Sequence, residues 1–332
     1  MKKKRVVVVG GGTGTHTVLR GLKQYNDRLE LTAIVSMADS GGSTGRLRDE
    51  FGQLPAGDVR NALAALAADG DEHDALLRQL FLYRFSRGEG LQGHNFGNLF
   101  LTVLTDILGS EVAAIEAASR ILRVSGRVVP VTTDDAHLRA VYADGEVVVG
   151  EHDIDEWKDG ARKDVRIVEL SLTPSARLNE AAKEDLLAAD LIIFGPGDLY
   201  TSVLANAVVD GFRAAVAESE ATIVYVCNLM SKAGQTIGMN AAEHLSEVGI
   251  YIGKTPNAML INSEPLPQEL LLKYAEEGDH PVNNNCGSLP TKIVSLPLIA
   301  TEEVKTDSGD VLKRSLIRHD SNKLAEALIK FL

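Results

Sequence analysis

The stretch Val6-Val7-Val8-Val9-Gly10-Gly11-Gly12-Thr13-Gly14-Thr15 decides the fold. Four consecutive valines indicate a strand buried on both faces, because parallel strands carry unbroken apolar runs and β-branched side chains suit a covered pleat. The next helix is predicted over 15–25. The alternative interpretation of the glycines is a simple turn between this strand and this helix, but such a turn would need only one glycine. The extra glycines let the backbone approach a ligand closely, and a helix N-terminus offers N–H groups and partial positive charge. The loop at Gly11, Gly12, Thr13 and Gly14 is therefore predicted to contact phosphate or a nucleotide.

A second loop follows the next predicted strand, Leu29 to Ser36, and contains Asp39-Ser40-Gly41-Gly42-Ser43. Strand, helix and strand at this spacing form a right-handed βαβ unit, in which ligands sit at the carboxyl ends of the strands. Asp39 should therefore share a rim with the first loop. It could accept a hydrogen bond from a ribose hydroxyl or hold Mg²⁺, and Ser43 could bind phosphate. The alternative is a solvated loop in which Asp39 only caps a helix.

A helical segment is predicted over about 59–123. Asp58 precedes it, and a helix cap explains this residue as well as a functional role does. Arg60 and Asn61 fall in the first turn, where a cation opposes the helix dipole and an anionic ligand would relieve it. Further on, His94, Asn95 and Asn98 surround Gly97, whose cost in a helix suggests close packing or a ligand.

The alternation of strands and helices is interrupted over about 128–170, where Ala143-Asp144-Gly145 predicts a β-hairpin insertion. It resumes with the strand Asp190 to Phe194. That strand ends in Gly195-Pro196-Gly197-Asp198-Leu199-Tyr200-Thr201-Ser202, a second glycine turn with hydroxyls leading into a helix. Another predicted strand ends at Asn228, and Arg318 stands just before the last helix, where contact with a ligand and simple exposure are equally expected.

The composition limits what kind of protein this is. A chain of 332 residues is long for one core, and we expect one large α/β domain over 1–332. The formal net charge of -12 argues against general binding to nucleic acid or anionic membranes. Two cysteines in unrelated contexts, a short apolar run behind the basic start and no membrane span predict a cytoplasmic protein.

Six segments in this order resemble the gluconeogenesis factor family (YvcK type), a relative of the CofD-like 2-phospho-L-lactate transferases: GGGTG, DSGGSTGRLR, LPAGDVRNAL, GHNFGNLF, GPGDLYTS and IRHD. The resemblance covers almost the whole chain. It implies a Rossmann-like, doubly wound, mostly parallel sheet with a helical subdomain, a nucleotide in the cleft, and often a homodimer. By motif position it implies nucleotide or phosphate contacts from Gly11, Gly12, Thr13, Gly14, Asp39, Gly41, Gly42, Ser43, Asp58, Arg60, Asn61, His94, Asn95, Asn98, Gly195, Gly197, Tyr200, Thr201, Ser202 and Arg318.

The family's two branches imply two functions. The YvcK branch binds a UDP-sugar and acts in the control of cell shape during gluconeogenic growth. The transferase branch moves phospholactate from a guanosine diphosphate link onto a deazaflavin with Mg²⁺. Ser40 stands where the family often has a second aspartate, which weakens a Mg²⁺ site at Asp39 and favours the regulatory UDP-sugar binder without turnover. The segment 281–286 also departs from the family pattern. A nicotinamide dehydrogenase is disfavoured, because Thr15 replaces the last glycine of G-x-G-x-x-G.

Overall fold

The structure is a computed structural model and describes residues 2–156, 162–287, 289–301 and 316–332. Its strands are β1 (Lys4–Gly10), β2 (Leu29–Val35), β3 (Arg127–Pro130), β4 (His137–Tyr142), β5 (Val147–Val149), β6 (Ile167–Thr173), β7 (Leu191–Phe194), β8 (Thr222–Val226), β9 (Ala258–Asn262) and β10 (Lys292–Leu296). Seven of them form one sheet in the order β10-β9-β8-β7-β1-β2-β3, and every neighbouring pair is parallel.

Both faces of this sheet are covered. In β1, Val6 and Val8 pack into one apolar cluster while Val7 and Val9 pack into the other, because successive side chains of a strand point to opposite faces. This double burial explains the unbroken run of valines. The predicted Rossmann-like α/β fold is confirmed.

The helices account for most of the remaining regular secondary structure. They are α1 (Gly12–Leu22), α2 (Gly42–Phe51), α3 (Gly57–Leu66), α4 (Glu72–Leu82), α5 (Phe96–Leu108), α6 (Glu111–Ile121), α7 (Glu151–Asp155), α8 (Glu180–Ala188), α9 (Ala205–Ala207), α10 (Phe212–Glu218), α11 (Ala241–Ile252), α12 (Gln268–Glu277) and α13 (Ser321–Leu328). In the described ranges, no helix combines the length and apolar character needed to cross a membrane.

The helical segment and the insertion lie close to their predicted positions. The helices α3 to α6 span 57–121, and β4, β5 and β6 form a small antiparallel sheet in the order β5-β4-β6. The predicted insertion began too early, because β3 pairs in parallel with β2 and is the edge of the main sheet. Residues 157–161 of the predicted insertion lie outside the described part of the chain.

Two helix starts differ from prediction. The first helix begins at Gly12 rather than Thr15, and Gly12 itself has a φ of 63°, which glycine tolerates readily. After β7, a π-helical turn over Leu199–Leu204 replaces the expected helix beginning after the hydroxyls. Tyr200, Thr201 and Ser202 therefore lie inside a helical turn and do not form an open loop.

The order of the sheet fixes where a ligand would bind. From β1 the chain moves outward to β2 and β3, and later returns to the other side of β1 with β7, β8, β9 and β10. The reversal between β1 and β7 is a topological switch point, and in open α/β sheets the crevice at the carboxyl ends of these strands binds ligands. The first glycine loop follows β1, and the turn at Gly195 follows β7.

Candidate functional site

The two glycine turns at the switch point pack backbone against backbone. A Cβ added to Gly14 would lie 1.8 Å from the carbonyl oxygen of Pro196, and one on Gly197 would lie 3.6 Å from the carbonyl oxygen of Gly11. Gly14 is therefore required for the contact between the two loops, whatever else it contacts. Ser202 completes this junction, because its Oγ lies 3.7 Å from a Cβ placed on Gly12.

Asp58 ties the first loop to α3. Its Oδ1 accepts a hydrogen bond of 2.7 Å from the Gly12 N–H, and a Cβ on Gly11 would lie 2.1 Å from its Oδ2. The capping explanation for Asp58 is wrong, because Ala56 is the N-cap of α3 and Asp58 lies within the first turn. Glycine at position 11 thus makes room for a carboxylate that holds the loop.

The second loop is built around Asp39. Its Oδ1 accepts a hydrogen bond of 2.9 Å from the Gly41 N–H, and Gly41, not Asp39, is the N-cap of α2. The other carboxylate oxygen lies 2.1 Å from where a Cβ on Gly57 would stand. Gly42 begins α2 with a φ of 49°. Asp39 therefore lies between α2 and α3, on the same rim as the first loop.

Arg60 and Asn61 lie on the α3 side of this rim. The guanidinium of Arg60 donates a hydrogen bond of 2.7 Å to Asn61 Oδ1. Burial raises the pKa of both Asp39 and Asp58, and the nearby charge of Arg60 only partly opposes this rise. Asp39 and Asp58 therefore lie beside the cation in the first helical turn, where the sequence predicted an anionic ligand.

Four carboxylates come together at this end of the site: Asp39, Asp58, Glu151 and Asp155. Burial, and then the charge of Asp39, raise the pKa of Asp58 to about 7. Burial, and then the charges of Asp39 and Asp155, raise the pKa of Glu151 well above its usual range. Burial also raises the pKa of Asp39. Carboxyls held in this way favour a proton or a cation between them.

Glu151 belongs to α7 in the insertion, and no sequence motif indicated it. Its Oε2 lies 3.4 Å from the Ser40 N–H, and Ser40 Oγ accepts a hydrogen bond of 3.0 Å from the His152 N–H. The insertion therefore packs its short helix onto the second loop. It places a carboxylate beside Ser40.

The residues around Gly97 mainly join α5 to the second loop. Ser43 Oγ lies 3.2 Å from His94 Nδ1 and accepts the Asn95 N–H at 3.1 Å. The Asn95 side chain caps α5, and Asn98 Nδ2 donates to Thr44 Oγ1 at 3.2 Å. A Cβ on Gly97 would lie 2.4 Å from the Phe81 carbonyl oxygen, so this glycine serves close packing.

The segment after β7, residues 195–204, which we call the third loop, differs most from prediction. Tyr200 is buried, and its hydroxyl lies 2.9 Å from Glu247 Oε1 and 3.2 Å from the Ile167 carbonyl oxygen, so its side chain faces the core rather than the cleft. Thr201 is also buried and donates to Asp155 Oδ1 at 3.2 Å. Both side chains lie in the π-helical turn, and their hydroxyls contact residues from other segments of the chain.

A cavity of about 770 Å³ opens at the junction of the first and third loops. Among the predicted site residues, it is lined by Thr13, Gly14, Gly197, Asn228 and Arg318. Asp39, Asp58 and the residues around Gly97 are not part of this lining. Asp155 connects the two regions, because it lines the cavity and its charge acts on Asp39.

The cavity lining also contains charged residues that the sequence did not single out. Lys232 Nζ lies 3.3 Å from both Asp155 Oδ2 and Asp198 Oδ2. Burial alone would lower the pKa of Lys232, but these two carboxylates outweigh it and raise the pKa. Lys232 lies just beyond the strand end at Asn228, and this position at the carboxyl edge of the sheet could have indicated it.

Arg318 reaches the cavity because Tyr274 holds the chain in front of it. The Tyr274 hydroxyl accepts N–H groups of Leu316 and Ile317 at 2.7 and 3.2 Å. Burial, and then Arg20 and Arg318, lower the pKa of His16 to about 4, which places a neutral imidazole of α1 near Arg318. His16 is a further residue of this region that the sequence did not reveal.

Comparisons with known proteins agree on one family. The sequence model described as 2-phospho-L-lactate transferase CofD matches residues 6–299. The gluconeogenesis factor of Bacillus subtilis is 38% identical over 332 residues, covering 100% of this chain and 99% of that protein. The gluconeogenesis factor of Halalkalibacterium halodurans is 40% identical, covering 99% of this chain and 97% of that protein.

Solved structures give the same result. A crystal structure of a Bacillus halodurans protein superposes with a TM-score of 0.87 at 38% identity, covering 99% of this chain and 100% of that one. A second structure from this organism, described as a member of the UPF0052 family, also has a TM-score of 0.87, at 37% identity and 99% coverage of both chains.

Proposed function

Because this chain belongs to the CofD family and matches gluconeogenesis factors over its length, we propose that it is a regulatory protein that binds a UDP-sugar without turnover. In this proposal the bound state contributes to the control of cell shape during gluconeogenic growth. The observation that carries it is the junction of two glycine turns at the switch point, which opens into the 770 Å³ cavity. That volume lies within the range of small-molecule sites.

The lining of the cavity suits the parts of a sugar nucleotide. The N-terminus of α1, at Thr13 and Gly14, offers N–H groups and partial positive charge to the diphosphate, and Arg318 adds a cation. Asp198 and Asp279 also line the cavity, and carboxylates accept hydrogen bonds from sugar hydroxyls. A ligand with both an anionic and a hydroxyl-rich part therefore fits better than a simple phosphate.

Magnesium enters this proposal only together with the ligand. Among the residues that the structure describes, no group of three or more histidine, cysteine, aspartate or glutamate side chains is arranged to hold a metal ion. Mg²⁺ commonly binds through one or two carboxylates plus substrate phosphates and water. Asp39 is the carboxylate we propose for this role, since Asp58 and Glu151 beside it favour a cation.

A ligand screen by thermal unfolding tests the proposal. UDP-N-acetylglucosamine, UDP-glucose, GDP and NAD are compared with and without Mg²⁺. A UDP-sugar at 100 times its Kd should stabilise the protein by about 2.7 kcal/mol. No shift with either UDP-sugar would contradict the proposal, and a shift with NAD alone would favour a dinucleotide site.

The transferase is the second candidate, and Glu151 is the observation that favours it. Its carboxylate beside Ser40 supplies an acidic group that the second loop lacks in sequence. Incubation with the deazaflavin acceptor, guanosine diphosphate-linked phospholactate and Mg²⁺ distinguishes the two functions. In this donor the phosphate of phospholactate and that of GMP form the diphosphate. Transfer would bond the phospholactate phosphorus to an acceptor hydroxyl oxygen, break the phosphoanhydride and release GMP, with the hydroxyl proton lost to solvent. Both products are visible by mass spectrometry, whereas the regulatory proposal predicts neither.

We also propose a homodimer, formed through the outer face of the helical segment. We call this surface the apolar helical face: Leu76 and Leu80 of α4, Val103 and Ile107 of α5, and nearby Phe51, Tyr83 and Leu91. Each of these side chains is exposed, and Ile107 is 71% exposed. Exposed apolar side chains concentrated on one part of the surface are typical of contacts between proteins.

A further inference from the structure

A buried row of hydrogen bonds connects α11 to the third loop. His244 Nδ1 lies 3.3 Å from the Tyr225 hydroxyl, which lies 3.2 Å from Asn228 Oδ1. Asn228 Nδ2 then donates to the Gly197 carbonyl at 2.6 Å. His244 and Tyr225 have no exposed surface, while Asn228 lines the cavity. The row therefore runs from the core to the proposed ligand site.

The chemistry of the partners fixes the direction of each hydrogen bond. The Gly197 carbonyl can only accept, so the amide nitrogen of Asn228 must face it and the amide oxygen must face Tyr225. The tyrosine hydroxyl must then donate its single proton to that oxygen. It has none left for His244, so His244 must donate from Nδ1 to the hydroxyl. This assigns the Nδ1–H tautomer to His244.

The surroundings of His244 agree with a neutral ring in that tautomer. Burial lowers the pKa of His244 to about 4, so the ring carries one proton near neutral pH. Nε2 has no hydrogen-bond partner among the described residues. An unprotonated Nε2 in this position is an acceptor that receives no hydrogen bond. A protonated Nε2 would instead be a buried N–H donor with no acceptor, and leaving a buried donor unsatisfied costs free energy.

We propose that His244 and Tyr225 are positioning residues that hold Asn228 as a hydrogen-bond donor to the ligand. The amide nitrogen of Asn228 carries two N–H groups, of which one binds Gly197. The other is held at the cavity lining beside the third loop, where it selects a ligand with an acceptor oxygen. Because Gly197 lies beside the N-terminal region of α1, that oxygen belongs to the diphosphate, an inference that rests on the proposed function.

We call this row of hydrogen bonds from His244 through Tyr225 to Asn228 the relay. Calorimetric titration of single and double variants with UDP-N-acetylglucosamine tests it. Asn228→Ala should weaken binding by about tenfold, the loss of one charge-assisted hydrogen bond. Tyr225→Phe should weaken binding in the wild-type background and add nothing in the Asn228→Ala background. The matched control is Tyr251→Phe, which likewise removes a tyrosine hydroxyl, in this case one that accepts the Leu170 N–H at 2.8 Å. It should leave the Kd unchanged.

A second measurement needs no ligand. In protein labelled with ¹⁵N-histidine, the ring nitrogens of His244, assigned with a His244→Gln variant, should show the Nδ1–H tautomer. The Nε2–H tautomer, or additive effects of Tyr225→Phe and Asn228→Ala on Kd, would overturn the relay while leaving UDP-sugar binding intact. If the wild type binds no UDP-sugar, the proposed function fails and with it the donor role of Asn228, and the tautomer then tests only the direction of the relay.

Discussion

At the scale of single residues, Asp58 controls the first loop because its carboxylate accepts the Gly12 N–H and faces Asp39. A group whose pKa is raised by folding stabilises the folded state fully only while it is protonated. Its pKa of about 7 lies above the unfolded value of 3.8. The contribution of the Asp58 proton is therefore complete below about pH 4 and is lost as the pH rises through 7.

This predicts a pH dependence that a neutral side chain removes. Between pH 5 and pH 8 the free energy of unfolding of the wild type should fall more steeply than that of Asp58→Asn, as measured by urea denaturation. The control, Asp106→Asn, changes an exposed aspartate of α5 and should keep the wild-type slope. Equal slopes in wild type and Asp58→Asn would show that the carboxyl is not held in the way described.

The proton on Asp58 should also affect the ligand. Without Mg²⁺, an anionic diphosphate binds best while Asp58 is protonated, so affinity for a UDP-sugar should fall above pH 7, by at most about tenfold per pH unit. Titrations at pH 6.5, 7.5 and 8.5 measure this, and Asp58→Asn should flatten the profile. An affinity that rises with pH would contradict the assignment.

The residue types at the site were easier to predict than their partners. The sequence marked Arg60 and Gly97 as unusual for their positions and left Asp58 open between a helix cap and a site residue. It could not say that Asp58 meets Gly12, 46 positions away, or that Arg60 lies near two carboxylates. Glu151 was missed because nothing in a polar insertion distinguishes a carboxylate that packs against another loop.

At the scale of secondary-structure elements, the junction between α1 and the third loop should be the least tolerant of added atoms. Gly14→Ala places a methyl group 1.8 Å from a backbone oxygen, and overpacking of this kind costs about 1–3 kcal/mol. We expect lower stability in urea denaturation and loss of UDP-sugar binding. Gly90→Ala is the control, because nothing lies within 4 Å of its Cβ. Equal stability of the two variants would contradict the close approach.

The start of α5 gives a prediction that separates stability from binding. Asn95 Oδ1 accepts the Gly97 N–H at 2.8 Å, so Asn95→Ala should lower stability by about 1 kcal/mol through loss of the cap. Folded Asn95→Ala should keep its Kd for the ligand. Ser110→Ala, which removes the cap of α6, provides the comparison. If Asn95→Ala lost affinity for the ligand and Ser110→Ala did not, the result would show that the Asn95 side chain contributes to ligand binding.

Elements with a strong apolar pattern were predicted well and the third loop was not. The buried strands β1, β2, β7 and β8 follow their apolar runs to within two residues at each end. The π-helical turn at Leu199–Leu204 depends on contacts of Tyr200 and Thr201 with Glu247 and Asp155, which come from distant parts of the chain. Local sequence carries no record of such contacts.

At the scale of the whole molecule, the apolar helical face gives the prediction about assembly. Ile107→Lys should convert the proposed dimer to a monomer, as measured by light scattering after gel filtration, because a charge would be buried at the contact. Leu272→Lys is the matched control, since Leu272 is 69% exposed on α12, outside this face. A wild-type monomer at all concentrations would contradict the proposal.

The architecture was predictable because the apolar patterns, the turn residues and the spacing of the elements all indicate the same fold. Apolar strands, glycine turns at strand ends and intervening helices all specify a doubly wound sheet, and the order of the motifs indicated the family. The outward face of the helices was harder to interpret. Periodic apolar residues in α4 and α5 predict helices, but one sequence does not say which of them remain exposed after packing.

Isothermal titration calorimetry with UDP-N-acetylglucosamine and UDP-glucose tests the central claim most directly. The protein should bind at least one of them saturably, at one site per chain, and chromatography of the mixture should return the nucleotide unchanged. Gly90→Ala should bind as the wild type does, and Arg318→Ala should bind more weakly, since Arg318 lines the cavity. Absence of heat with both ligands in folded protein, or recovery of a cleaved nucleotide, would contradict the account.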